Sequence, residues 1–138
     1  MLSKSLFSEV TKLGRRLLST KPLSDIQIDE LEGKYKGIYV VSFKRPDVRN
    51  AVRRNTIEEL SETLDELSCD NEARVLILYS TSPGIFCSGA DLKERQQLSQ
   101  AETYRTVSRF RALTNQIEST PIPTIAAVDG IALGGGFE

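Results

Sequence analysis

Two short stretches carry residue types suited to holding a developing negative charge. One is Phe86-Cys87-Ser88-Gly89-Ala90-Asp91-Leu92-Lys93-Glu94, and the other is Gly134-Gly135-Gly136-Phe137-Glu138. Each comes just past an apolar, strand-like run, Val75 to Tyr79 in the first case and Thr124 to Val128 in the second. Open α/β sheets take their ligands beyond the C-terminal ends of strands. Two such ends, stripped of bulky side chains, can aim two backbone N–H groups at one oxygen atom, which is the geometry of an oxyanion hole. Glu138 sets a carboxylate beside the second stretch.

Other chemistries are excluded by what is missing. The sequence has no histidine, so Ser-His-Asp and Cys-His catalysis cannot be built from it, and a zinc site has too few donors. Cys69 and Cys87, the two cysteines, lack metal-ligand spacing. The glycine run Gly130-x-x-x-Gly134-Gly135-Gly136 is not G-x-G-x-x-G, and no Gly-Lys-Ser/Thr follows. Neither a dinucleotide fingerprint nor a phosphate loop is present. Taken alone, the run suits a tight turn with close helix-sheet packing; its partner stretch around Ala90 favours the binding reading. Cys87 suits a small apolar filler, and Asp91 an N-cap rather than a base.

Around these stretches the pattern is α/β. Ile38-Tyr39-Val40-Val41-Ser42-Phe43 is a strand, rich in β-branched and aromatic residues, and Arg45-Pro46-Asp47 ends it. Ile57, Leu60, Leu64 and Leu67 share one face of a helix expected over about 53–67. A strand over 74–79 follows, then a loop from Ser80 to Gly89 with Ser82-Pro83-Gly84 as its turn. Ser99 and Glu102 form a capping box for a helix that should carry Tyr104, Val107, Phe110, Leu113 and Ile117 inward. Pro121 and Pro123 stop that helix before the strand 124–128. The glycines at 134–136 suit the start of a further helix, whose N-terminal dipole would favour negative charge near Gly135.

Residues 1–20 are basic at Lys4, Lys12, Arg15 and Arg16, acidic only at Glu9, and rich in hydroxyls. Leu2, Leu6, Val10, Leu13 and Leu17 make one apolar helical face. That is the pattern of a mitochondrial transit peptide, addressing the protein to the matrix; a surface helix would share it, but nothing after Thr20 continues the pattern. In that compartment both thiols would stay reduced. Residues 21–36 form a polar leader with room for an edge strand at Ile26 and Ile28. With 138 residues, 39% hydrophobic, 27% charged and a formal net charge of −1, the remainder suits one globular domain with no general attraction to nucleic acid or anionic lipid. No apolar run approaches the roughly 20 residues of a membrane span.

Arg45-Pro46 with Asn50-Ala51, the stretch Phe86 to Glu94, the run Pro123-Thr124-Ile125-Ala126-Ala127-Val128-Asp129-Gly130, and Gly134 to Glu138 together resemble the enoyl-CoA hydratase/isomerase (crotonase) family. The wording is most similar to the mitochondrial branch that holds methylglutaconyl-CoA hydratase. The resemblance runs from about Gly37 to Glu138. It implies the crotonase fold, a repeated β-β-α spiral related to ClpP, with residues 37–138 as its N-terminal part and the core continuing beyond Glu138. It implies addition of water across the 2,3 double bond of a short or branched enoyl-CoA, with no dissociable cofactor because CoA is part of the substrate.

By the same resemblance, the N–H groups of Ala90 and Gly135 hold the thioester carbonyl. Glu138 is one of two acid/base glutamates, the second being absent from this sequence; the plainer reading is a helix-start acid. Asn50, Ala51 and Ser88 match positions along the adenine and pantetheine path. Ala90, Asp91, Leu92 and Lys93 match the thioester segment, with Gly134 and Gly135 facing it. Arg49 or Lys93 suits a CoA phosphate, or is simply a solvated charge. Isomerases and CoA hydrolases share the oxyanion hole, and a catalytically incomplete fragment that binds CoA or joins intact subunits is the main alternative. The family commonly forms trimers or hexamers. Some relatives bind RNA through a lysine-rich helix; here the matching helix carries five acids, Glu58, Glu59, Glu62, Asp65 and Glu66, which argues against RNA contact.

Overall fold

The computed structural model describes residues 24–138. The leader expected at 1–20 lies outside the described residues, as does the first part of the 21–36 stretch. The expected edge strand exists as β1, Ile26–Glu30. It pairs antiparallel with β2, Ile38–Phe43, along its whole length. Its two apolar side chains, Ile26 and Ile28, are buried.

Helix α1, Arg54–Cys69, carries the chain from β2 to β3, Val75–Ser80. Parallel strands need such a crossover, and β2 and β3 are parallel, with Ile38 opposite Val75 and Phe43 opposite Ser80. The α1 face expected from the sequence is the one buried: Ile57, Leu60, Leu64 and Leu67 join Tyr39, Val41, Leu76 and Leu78 in a single core. Strand β5, Thr124–Ala126, extends the sheet parallel to β3, two residues shorter than expected. The order is β1-β2-β3-β5.

The stretch expected to be loop from Ser80 to Gly89 contains a strand, β4, Ile85–Cys87. It pairs in parallel with β6, Ile131–Ala132, to make a separate two-stranded sheet. Three residues flanked by turn glycines have no periodicity of their own. Only the distant partner β6 makes them a strand.

Two helices lie between β4 and β5. In the short α2, Leu92–Gln96, Asp91 is the N-cap, its carboxylate accepting from the N–H groups of Lys93 and Glu94. In α3, Gln100–Glu118, the expected capping box is present, Ser99 Oγ accepting from Glu102 N and Glu102 Oε2 from Ser99 N. The inward face of α3 differs from expectation. Leu113 is buried and Phe110 and Ile117 are half-buried, but Tyr104 is 74% exposed and Val107 is exposed too. The 3.6-residue spacing is present, but only the C-terminal half of the helix crosses α1, where Gln116 bonds Ser61 and Asp65. The glycines at 134–136 form one turn of 3-10 helix, closed by Phe137 N on Gly134 O.

Candidate oxyanion site

The two glycine-bearing stretches meet backbone to backbone. Ile131 N donates to Gly84 O at 2.9 Å, and Leu133 N donates to Cys87 O at 3.0 Å. A β-carbon on Gly89 would fall 2.6 Å from Leu133 O and 3.4 Å from Gly135 N; one on Gly136 would fall 2.6 Å from Cys87 O. Any side chain at these positions would push the two stretches apart. Gly89 also has φ +85, a conformation that residues with a β-carbon avoid.

Neither Ala90 N nor Gly135 N donates to a backbone acceptor among the described residues. Ala90 is exposed and Gly135 half-buried. The peptide on either side of Ala90 is fixed: Gly89 O accepts from Val52 N at 2.8 Å, and Asp91 N donates to Val52 O at 2.9 Å. The N–H between them points away from Val52. At the other stretch, Gly136 N and Phe137 N close the turn onto Leu133 and Gly134, leaving Gly135 N open. The structure thus brings Ala90 and Gly135 onto neighbouring stretches, each with a donor free for an oxygen atom.

Glu138 lines a cleft of about 550 Å³ together with Gly135, Gly136, Phe110, Leu113 and Cys87. Ala90 and Asp91 line a smaller recess beside it, and Val52 and Phe110 belong to the walls of both. The cleft is therefore mostly apolar, with one carboxylate at its edge, which suits an acyl chain next to a proton-handling group.

The other expected binding residues divide. Ser88 N donates to Arg49 O at 3.1 Å, and Ser88 Oγ to Val48 O, so Arg49 and Ser88 hold one another by backbone. The Arg49 and Lys93 side chains are exposed and stay available to an anion, and Leu92 is 65% exposed beside Lys93. Asn50 and Ala51 are buried. The Asn50 amide is used inside the protein: Oδ1 accepts from Arg45 N, and Nδ2 donates to Ser80 Oγ at 2.8 Å and to Phe86 O at 3.0 Å. It braces the start of the site from behind. Gly134, at φ +50, is exposed and shapes the turn that frees Gly135 N.

Cys87 is buried between the stretches, its Sγ donating to Asn50 O and accepting from Gly89 N. Burial pushes its thiol up, and the Gly89 N–H only partly offsets that. It is a spacer and a weak nucleophile. Burial would also raise Asp91, but N–H bonds from Glu94 and Lys93 and the Arg45 guanidinium hold its carboxyl below its ordinary value. Sequence reasoning missed Arg45 as a contributor. The Arg45-Pro46 pair was visible, but nothing local shows that its side chain reaches Asp91, 2.9 Å away. Among the described residues no cluster of His, Cys, Asp and Glu suits a metal ion, and no helix is long and apolar enough to cross a membrane.

A mixed, mostly parallel α/β sheet with two glycine-rich strand ends opening bare N–H groups onto an apolar cleft matches the family described as enoyl-CoA hydratase/isomerase, whose model covers residues 33–138; the chain belongs to this family. It is 50% identical over 115 residues to the human protein named enoyl-CoA hydratase domain-containing protein 2, mitochondrial, covering 83% of this chain and 39% of that one. It is 44% identical over 118 residues to human methylglutaconyl-CoA hydratase, mitochondrial, covering 86% of this chain and 35% of that one. The crystal structure of an enoyl-CoA hydratase from Bacillus anthracis superposes with TM-score 0.76 at 34% identity, over 82% of this chain and 43% of the other. The fold is that of the crotonases, and the chain spans about two fifths of the length of the curated relatives it matches.

Proposed function

We propose that this chain carries the thioester-binding part of a mitochondrial enoyl-CoA hydratase. The backbone N–H groups of Ala90 and Gly135 hold the thioester carbonyl, and its oxygen takes up charge as water adds at C3 and a proton moves at C2. Glu138 is one of the two groups that handle that water and proton. No dissociable cofactor takes part, since the thioester itself is the electron sink. The CoA moiety runs past Arg49, Asn50, Ala51 and Ser88, with Leu92, Lys93 and Gly134 near the thioester. Asn50 and Ala51 shape that path from beneath. Residues 1–20 are the leader that directs the protein to the mitochondrial matrix, 21–36 lead into the sheet, and 37–138 form the N-terminal part of the crotonase domain. The assembled protein is a homo-oligomer, a trimer or hexamer.

One observation carries this reading: two unengaged N–H groups on stretches that touch at Gly89 and Gly135. Short enoyl-CoAs, methylglutaconyl-CoA among them, offered to the chain and to Glu138→Gln test it. Hydration that Glu138→Gln lowers by about 10²-fold or more supports the reading. Hydration untouched by that change sinks the role of Glu138.

A second reading is favoured by the share of the relatives' length that the chain spans. It binds the CoA thioester, or joins longer subunits, without turnover. Acyl-CoA binding with no hydration, isomerisation or thioester hydrolysis selects it.

A further inference from the structure

Arg45 lies between the end of β2 and the 3-10 turn Pro46–Val48, with its side chain 15% exposed. Its guanidinium has two partners. Nη1 donates to the carbonyl oxygen of Ala51, and Nη2 to Asp91 Oδ2 at 2.9 Å. The Ala51 carbonyl shares a peptide unit with Val52 N–H, which donates to Gly89 O at 2.8 Å. The Gly89 carbonyl in turn shares a peptide unit with Ala90 N–H. No peptide bond among the described residues is cis, so within each unit the C=O and N–H point in opposite directions. The line runs from the guanidinium through two peptide units and ends on Ala90 N–H, the group with no backbone acceptor.

We infer that Arg45 is a positioning residue for the oxyanion donor, acting on Ala90 N–H through this two-peptide line and through its hold on Asp91. Two effects follow. The first is orientation. The peptide plane before Ala90 is fixed by Val52, and the peptide after it by Asp91 N on Val52 O, so the donor cannot turn away. The second is polarisation. Hydrogen bonds in series strengthen one another, and a charged first donor strengthens the series more than a neutral one. The Asp91 carboxylate offsets the net charge of Arg45. The influence on Ala90 is therefore directional, carried through the bonds, and not a general positive field. Asp91 also bonds the N–H groups of Lys93 and Glu94, so the same ion pair ties the start of α2 to the loop.

This role rests on the thioester reading above. The test uses the full chain saturated with a saturated acyl-CoA labelled with ¹³C at the thioester carbonyl, and reads the carbonyl stretch by infrared difference spectroscopy. In the unsubstituted protein the bound carbonyl should absorb below its frequency in water. In Arg45→Met roughly 10–30% of that displacement should be lost, read at saturating acyl-CoA so that a change in affinity through Ala51 does not enter the frequency. Arg45→Lys keeps the charge but not the fork and should fall between. Glu59→Gln, at a carboxylate that accepts from the N–H groups of Ser24, Asp25 and Ile26 at the start of β1, serves as a control that lowers stability and leaves the frequency unchanged. Arg45→Met with the full displacement overturns the inference. If that variant does not fold, Arg45→Lys with the full displacement overturns it. A saturated but unshifted carbonyl in the unsubstituted protein, or no binding at all, removes the thioester reading and this role together. A shift indifferent to Arg45 removes only the role.

Discussion

The Leu133 carbonyl oxygen occupies the space a β-carbon on Gly89 would need, 2.6 Å from it. The two donor stretches are thus spaced by bare backbone. Gly89→Ala meets two penalties, about 1–2 kcal/mol for a left-handed φ and about 1–3 kcal/mol for overpacking. Denaturant titration should show the loss, and whatever folded protein remains should bind acyl-CoA more weakly. A variant as stable as the parent contradicts this packing.

Asn50 sits at φ 54 with its amide buried and bonded to Arg45, Ser80 and Phe86. Asn50→Ala strands those partners and should cost about 2–3 kcal/mol. Asn50→Gly keeps the backbone comfortable but loses the same bonds. A near-parental melting temperature for Asn50→Gly would show that backbone strain, not the amide network, sets the cost at this position.

Asp25 is buried against α1, accepting from Arg53 Nε at 2.8 Å, Arg53 Nη2 at 2.6 Å and Thr56 Oγ1 at 2.6 Å. Burial alone would raise its carboxyl, but the bonds from Arg53, Thr56 and Asn55 win and hold it well below the usual carboxylate range. The folded value lies below the unfolded one, about 3.9. The unfolded chain therefore takes up the proton first, and stability present above that value is lost as the pH falls below about 5. Asp91 adds a contribution of the same sign. Asp25→Asn should flatten the acid limb of a stability-versus-pH curve and cost about 3 kcal/mol at neutral pH, the low end because Arg53 is 39% exposed and can return to water. An unchanged acid limb refutes the assignment.

Cys69 is exposed and Cys87 is buried. With burial raising the Cys87 thiol, a thiol reagent should label Cys69 rapidly and Cys87 only as the fold opens. Two equally fast thiols would mean that the stretches around Cys87 do not stay joined in solution.

Ile125, Val128, Ile131 and Leu133 are each about half exposed, and Phe137 is 82% exposed. So large an apolar surface favours association. Sedimentation should detect self-association of this chain, reduced in Leu133→Ser with Phe137→Ser. A monomer at high concentration that binds no hydrophobic dye argues against an open face there.

Strands β2 and β3 and helix α1 were legible because their side chains alternate or recur with the period of the element, and each buries the face that recurs. The Ser99–Glu102 box was legible for a local reason too. What failed was everything decided across the chain. Tyr104 and Val107 have the right spacing for an inward face, but spacing does not say which half of α3 meets α1. Strand β4 exists only because β6 lies alongside it. At the candidate site, Ala90, Gly135 and Glu138 are marked by residue type and motif, while the bonds of the Asn50 amide to Arg45, Ser80 and Phe86 and the reach of Arg45 to Ala51 and Asp91 leave no local mark.

Among the described residues the β4–β6 ladder has the fewest paired residues of any pair of strands, and it joins segments separated by α2, α3 and β5. Closing so long a loop for two residue pairs gains little, so this ladder is weaker than the sheet beside it. Amide exchange at Ile131 and Leu133 should outpace exchange at Leu76, which lies between β2 and β5. The carbonyl-holding geometry would then be intermittent, present for as long as this small ladder stays closed. A thioester that bridges Ala90 and Gly135 would lengthen that time by linking the two stretches directly.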